Sequence, residues 1–244
     1  MATVAARSDR AYVAWIVAAI LVVVLAGFSR SFFLAPFFAA APEWAAREPI
    51  FYLHGAVFSA WFALLAVQAW LIRGRAQRLH RQLGYGVAGV GVAVVLLGCY
   101  VALRAANRPT GFMGVPFPPE QFLIVPLVGI GLFAAFLGLA VINRNRAASH
   151  KRLILLASIS LLGAPVARIP AMVPALPFWL DLAVYAAFVA ALAFWDLHGR
   201  GRLRPETLWG GLALVALNLA ALPLAQSAAW QNAARWMMGF TGPP

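Results

Sequence analysis

The chain has 244 residues, of which 64% are hydrophobic and 11% are charged. Soluble domains are usually about half apolar and about a quarter charged, so this composition excludes a soluble fold that hides its apolar surface in one core. The net charge of +12 would suggest nucleic acid as the partner of a soluble protein. Because the basic residues here lie in short segments between apolar runs, anionic membrane lipids are the expected partners and nucleic acid is not.

Apolar runs predict about seven membrane-spanning helices, since about 20 residues cross the hydrocarbon layer of a bilayer. The predicted spans are residues 11–33, 50–72, 84–103, 121–142, 152–170, 178–195 and 207–224. A tail with Trp230, Arg235 and Trp236 predicts a short C-terminal helix in the membrane interface. The expected fold is therefore all-α, a single polytopic transmembrane domain over residues 1–244 without room for a second, soluble catalytic domain.

Basic residues alternate between the two sides of the predicted bundle. One side carries thirteen of them: Arg7, Arg10, Arg73, Arg75, Arg78, Arg81, Arg144, Arg146, Lys151, Arg152, Arg200, Arg202 and Arg204. The other side carries six: Arg30, Arg47, Arg104, Arg108, Arg168 and Arg235. Because basic loops stay in the cytoplasm, we expect a multi-pass protein of the bacterial inner membrane with a cytoplasmic N-terminus and an external C-terminus.

The second predicted helix carries a polar stripe. His54, Trp61 and Gln68 are spaced by seven residues and therefore share one helix face. Polar side chains at membrane depth are costly without partners, so this face is expected to point into the bundle. His54 is then either a cofactor ligand or proton carrier, or a structural histidine bonded to a neighbouring helix. Arg168 and Asp181 are also expected to face the bundle, near the same end as His54. They either form a structural ion pair or line an outward-facing pocket for a small molecule.

Two helices carry small residues at helical spacing. These are Gly84, Gly91 and Gly98 in the third span, and Gly131, Ala135 and Gly138 in the fourth. Such stripes let another helix come close, and a planar cofactor between helices would use the same smooth surface.

Two loops share the pattern Arg-x-Arg-Ala followed by a histidine. His80 and His150 each come at the cytoplasmic start of a helix, and basic residues follow them: Arg81 in the first case, Lys151 and Arg152 in the second. Helix N-termini attract anions. A lipid phosphate or the carboxylates of a cofactor are the expected ligands. Interfacial histidines among lipid headgroups are the alternative.

The segment Leu53-His54-Gly55, with Trp61, Gln68, Arg78, His80-Arg81 and Leu83-Gly84 after it, resembles an uncharacterised family of bacterial multi-pass membrane proteins. A second block, Ser149-His150-Lys151-Arg152-Leu153 with the later Arg168, resembles the same family, and the resemblance covers residues 50–170. It implies no particular activity.

A more distant resemblance is to the transmembrane b-type cytochromes, in which histidines on neighbouring helices bind two haems, one near each membrane face. It implies His80 and His150 as ligands of one haem iron, with His54 near the other face. The chain departs from that pattern because no second outer histidine pairs with His54. The resemblance therefore implies at most one haem b with two histidine ligands, or a haem with a different second ligand.

Three functions remain open at this point. The first is a b-type haem-binding or quinone-interacting redox protein, with His54, His80, His150, Arg81, Lys151 and Arg152 as cofactor-binding residues. The second is a non-enzymatic accessory subunit that packs against a membrane complex. The third is a transporter or small-molecule binder. HExxH, GxSxG and phosphate-binding glycine loops are absent from the sequence, so it identifies no catalytic residue and leaves enzymatic activity undecided.

Overall fold

The computed structural model describes residues 2–37, 48–112, 115–169 and 180–242, and within these ranges the chain is helical and has no strand. The α-helices are α1 (Ala2–Phe28), α2 (Pro49–Arg73), α3 (Gln77–Ala106), α4 (Pro119–Phe122), α5 (Ile124–Ile142), α6 (Ala147–Ser160), α7 (Gly163–Val166), α8 (Leu180–Arg200), α9 (Pro205–Ala225) and α10 (Ala228–Met238). A wider π-helical turn, Ser29–Phe33, continues α1, and a 3₁₀ turn, Ala35–Phe37, follows.

Six segments of the described chain are long and apolar enough to cross a membrane. They are Asp9–Phe33, Pro49–Arg73, Gln77–Ala106, Pro119–Ile142, Leu180–Gly199 and Pro205–Ala225. The protein is thus an all-α, polytopic membrane protein. The fifth predicted span, 152–170, is not among the six, because α6 has only 14 residues and a turn at Leu161 and Leu162 separates it from α7. Residue 170 lies outside the described ranges, and a count of seven spans stays a prediction.

Helix α6 is the centre of the bundle. Its residues from Arg152 to Ser160 are buried with the exception of Ile154, and Leu156, Ala157 and Ile159 are completely inaccessible. Helices α1, α5, α8 and α9 all contact it. Polar side chains on α6 are therefore shielded from lipid by the surrounding helices.

Several helices extend beyond their predicted bounds. Helix α3 begins at Gln77 rather than near residue 84, and α8 continues to Arg200 rather than ending at 195. Helix α1 begins at Ala2 rather than at 11. Residues 178 and 179, where the sixth span was predicted to begin, lie outside the described ranges. The extra turns carry charged side chains. A helix needs apolar residues only where it crosses the hydrocarbon layer, so turns with charged residues can extend it beyond that layer.

The glycines of α3 allow close packing, as predicted, for two of the three positions. A Cβ atom on Gly91 would lie 2.4 Å from Leu137 of α5, and one on Gly98 would lie 3.0 Å from Ile130. A Cβ on Gly84 would meet nothing within 4 Å. Helices α3 and α5 therefore approach each other along the inner part of the stripe.

The predicted small-residue stripe of α5 faces away from the described bundle. Gly131, Ala135 and Gly138 are exposed, and a Cβ atom on either glycine would meet nothing within 4 Å. The close approach on α5 is made by Gly129, where a Cβ atom would lie 3.0 Å from the carbonyl oxygen of Ser160. The expectation that these three residues let another helix come close is therefore wrong within the described bundle. The face of α5 that packs against α6 carries Gly129 instead.

The C-terminal helix closes one end of the bundle. The indole of Trp230 donates to the carbonyl oxygen of Glu120 at 2.8 Å, and Asn107 donates to the carbonyl oxygen of Met238 at 2.7 Å. Near them Arg104 forms an ion pair with Glu48 at 2.9 Å. A short C-terminal helix is thus present, whereas its position in a membrane interface stays a prediction.

Candidate two-histidine site

His80 and His150 lie side by side. Each is the fourth residue of its helix, in α3 and α6 respectively, and each backbone N–H bonds the carbonyl four residues earlier, in Ala76 and Arg146. The two imidazole centroids are 6.3 Å apart and their planes cross at 86°. The similar loop sequences therefore place two histidines at equivalent helix positions, on adjacent helices.

Hydrogen bonding fixes the orientation of one ring. Nδ1 of His150 lies 2.9 Å from the carbonyl oxygen of Ala140. A carbonyl only accepts, so Nδ1 carries the proton and Nε2 keeps its lone pair in the neutral imidazole. Histidines that bind metals usually donate their other ring N–H in this way. His80 interacts with the backbone of Gln68, and its buried Nδ1 has no hydrogen-bond partner in the described part of the chain.

Gln68 belongs to the same layer of the bundle. Trp61 of α2 donates to Oγ of Ser158 in α6 at 3.3 Å, which sets a common level for the two antiparallel helices. From that level Gln68 lies seven residues, about 10 Å, toward the basic end, and His150 lies eight residues, about 12 Å, in the same direction. Gln68, His80 and His150 therefore lie at a similar depth.

The Gln68 amide is buried and unpaired. Its side chain belongs to a residue with 9% of its surface exposed, and neither Nε2 nor Oε1 has a partner among the described residues. Buried polar groups nearly always have partners, and an unpaired one costs about 1–3 kcal/mol. An amide in this state, at the depth of the two imidazoles, is suited to bind a polar ligand.

The three cationic residues predicted to bind a cofactor, Arg81, Lys151 and Arg152, differ in their partners and their exposure. Lys151 forms an ion pair with Asp9, and Arg152 forms one with Asp196. Burial lowers the pKa of Lys151 below its usual value, although the Asp9 carboxylate opposes the shift. Arg81 is exposed. The two carboxylates thus partly neutralise the positive charge that follows His150.

Asp196 is a structural residue beside the site that sequence reasoning missed. It is completely inaccessible, and its two oxygens accept bonds from Arg152 Nε at 2.9 Å, from Thr207 Oγ1 at 2.6 Å and from the backbone N–H of Arg204 at 3.1 Å. It ties α6, α8 and α9 together beside the two-histidine site. The sequence offered one signal for this ion pair: a single acid, Asp196, at the end of one apolar run, and a basic residue, Arg152, at the start of another.

His54 lies in a separate place, toward the opposite end of α2. It is 14 residues from Gln68, which corresponds to about 21 Å along the helix. Its ring rests on Phe58 with centroids 4.0 Å apart, and its buried Nδ1 has no partner in the described ranges. The positive charge of Arg168 is close enough to the His54 ring to interact with it electrostatically. His54 is therefore not part of the two-histidine site.

Arg168 and Asp181 have local contacts. The Arg168 guanidinium lies 4.7 Å from the Phe28 ring centroid and donates to the carbonyl oxygen of Ala164 at 2.6 Å. The Asp181 carboxylate accepts from the backbone N–H of Leu182 at 2.8 Å. Residues 170–179, which connect the two helices that carry them, lie outside the described ranges.

Within the described residues no group of three or more His, Cys, Asp or Glu side chains could hold a metal ion. A structural zinc ion usually needs four protein ligands, so His80 and His150 alone do not suit one. No family model, curated protein or solved structure matches this chain. The chemistry of these side chains is therefore the guide to function.

Proposed function

We propose that this polytopic membrane protein is a redox protein that holds one b-type haem between His80 and His150. The observation that carries the proposal is the spacing of the two rings. Imidazole nitrogens bind metals at about 2.0–2.1 Å, so two histidines that share one metal must lie close together on neighbouring helices. The two rings of this chain are 6.3 Å apart. Imidazole is a ligand that haem iron takes from proteins, and His80 and His150 would supply two of them from adjacent helices.

The number of protein ligands favours haem over a bare ion. Haem brings four nitrogens of its own and takes only axial ligands from the protein, and when bound it supplies reversible one-electron reduction. The chain would hold the iron through the imidazoles. The Ala140 carbonyl would keep the His150 lone pair directed away from its own helix. The surrounding helices would exclude lipid and water from the ring edges.

A quinone is the second candidate ligand. The specific observation is the buried amide of Gln68, whose N–H donors and oxygen have no partner among the described residues and which lies at the depth of the imidazoles. Quinone carbonyls accept hydrogen bonds from amides and protonated imidazoles, and a quinol donates to them. Both candidates are redox ligands, and only haem has a Soret band.

We place the basic end of the bundle in the cytoplasm of a bacterial inner membrane. Contacts within the structure support this grouping, since Asp9 contacts Lys151 and Trp195, and His80 contacts His150. The N-terminal segment and the three basic loops thus belong to one end. A bilayer with acidic lipids and the rule that basic loops stay inside then favour that orientation.

The test is an optical spectrum of the protein purified in mild detergent after expression with added haem, oxidised and then reduced with dithionite. We expect a Soret band that shifts on reduction. His80→Ala and His150→Ala should each abolish it, whereas His198→Ala, an exposed histidine at the same end, should retain it. Circular dichroism should show equal helix content in all variants. A spectrum without a Soret band, or a band that persists in both ligand variants, would contradict the proposal.

A further inference from the structure

The basic end carries far more positive charge than its own acids neutralise. The N-terminal segment and the three basic loops contain thirteen Lys and Arg but only three acids within or beside them, Asp9, Asp196 and Glu206, an excess of ten. Asp9 and Asp196 already form ion pairs with Lys151 and Arg152. The remaining arginines at this end therefore require anions from outside the chain.

Three of these arginines line one open surface cleft. Arg10 of α1, Arg73 at the end of α2 and Arg75 in the following turn line a depression of about 620 Å³ with Ala11. The structure shows no hydrogen bond or ion pair to these three guanidinium groups from any described residue. Like charges around one cleft repel each other, so an anion bound between them would lower the free energy of the folded state.

The backbone at Arg75 is unusual. Helix α2 ends in a Schellman motif, because Ala76 N–H bonds the Leu71 carbonyl at 2.8 Å and Arg75 N–H bonds the Ile72 carbonyl at 3.2 Å. The position after the cap normally holds glycine, since its φ is positive. Here it is Arg75, with φ of 62°, while Gly74 has an ordinary φ of −76°. A sterically disfavoured position is thus occupied by a long, exposed cation rather than by glycine.

The cleft lies at the level of lipid headgroups. Arg10 is the second residue of the span Asp9–Phe33, and Arg73 is the last residue of the span Pro49–Arg73. Basic pockets between helices at the cytoplasmic surface bind phosphate headgroups, and the planar fork of arginine matches phosphate oxygens in a bidentate geometry. We propose that Arg10, Arg73 and Arg75 form a binding site for the phosphate headgroup of an anionic lipid.

The test compares lipid-induced stabilisation of the full-length protein in detergent. The melting temperature is measured against phosphatidylglycerol, phosphatidylcholine and inorganic phosphate. The variant combines Arg10→Gln, Arg73→Gln and Arg75→Gln. The matched control combines Arg144→Gln, Arg146→Gln and Arg202→Gln, which removes the same charge from exposed residues of the same end. Circular dichroism checks that both variants fold.

We expect phosphatidylglycerol, but not phosphatidylcholine, to raise the melting temperature of the parent protein and the control. The cleft variant should need at least tenfold more phosphatidylglycerol for the same rise. Equal weakening in both triple variants would show diffuse surface attraction and overturn the site. The same rise with millimolar inorganic phosphate would show a free anion as the source and overturn the assignment to a lipid. No response of the parent protein would also overturn it.

A single substitution tests Arg75 separately. Arg75→Gly should raise the melting temperature without lipid, because glycine accepts the positive φ, and should also weaken the response to phosphatidylglycerol. Arg75→Gln should weaken that response without the rise. An unchanged lipid response in Arg75→Gly would remove Arg75 from the site and overturn the three-arginine assignment.

Discussion

Two deeply buried polar side chains in neighbouring parts of the bundle, Asp196 and Gln68, differ in their hydrogen bonding. Between α6, α8 and α9, Asp196 is completely inaccessible, and both of its oxygens accept hydrogen bonds. Between α2, α3 and α6, Gln68 is nearly as deeply buried, and neither of its amide atoms has a partner among the described residues. The saturated Asp196 carboxylate has a structural role, because its bonds join neighbouring helices. The unsaturated Gln68 amide has donors and an acceptor without partners among the described residues.

The physical reason for the difference is the cost of desolvation. A buried charge is tolerated when hydrogen bonds and an opposite charge replace its water, and a fully bonded network holds the helices in one arrangement. An unpaired amide contributes only its cost and no cohesion. The first region is therefore the frame that holds α6, and the second is the part of the site that a ligand would complete.

Breaking the saturated region should have the largest effect. Asp196→Leu leaves the Arg152 guanidinium, whose side chain is 3% exposed, without its carboxylate. We expect a loss of about 3–5 kcal/mol in the free energy of unfolding, because removing one partner of a buried pair strands the other charge. Chemical denaturation in detergent micelles would measure it.

The control for this prediction removes both charges. The double variant Asp196→Leu with Arg152→Met should recover most of the loss, since apolar pairs of similar volume often replace buried ion pairs at little cost. A loss below about 1 kcal/mol in the single variant would mean that this region is not a frame.

The unsaturated region should respond in the opposite direction, and by less. Gln68→Leu removes an unpaired amide, so we expect the ligand-free protein to gain about 1–3 kcal/mol of stability. The same variant should retain less ligand during purification. Asn218→Leu is the matched control, because Asn218 is equally buried, at 9% exposure, but donates to the carbonyl oxygen of Leu214 at 2.8 Å. If Gln68→Leu loses stability as the control does, the amide has a partner and the contrast between the regions disappears.

The sequence predicted the second of these regions better than the first. The seven-residue spacing on α2 indicated correctly that Trp61 and Gln68 share a buried face, and α2 itself was placed to within one residue at each end, because Pro49 and Gly74 bracket it. Its neighbours could also be suspected, since the repeated loop pattern singled out His80 and His150.

The saturated region could not be predicted from the sequence because hydropathy reports composition and not neighbours. An apolar run that faces lipid and one that lies at the centre of a bundle look alike, so the central position of α6 was not visible. Asp196 was placed just beyond the end of its predicted helix, where a charge is expected in water. Only the three-dimensional arrangement shows that Arg152 and Thr207 lie opposite it.

Lys151 resembles Arg152 in having an ion-pair partner and Gln68 in being unfavourably buried. Its predicted effect is the smallest. It has a carboxylate partner, Asp9, as Arg152 has Asp196, yet burial lowers its pKa below the usual value of 10.5 despite that partner. Between the folded and unfolded pKa values the unfolded chain binds more protons, so stability rises with pH in that alkaline window. We expect the melting temperature of the parent protein, relative to Lys151→Met, to rise with pH in the range just below pH 10.5. A relative fall would mean that Asp9 outweighs burial, which would place Lys151 with Arg152 in the saturated frame.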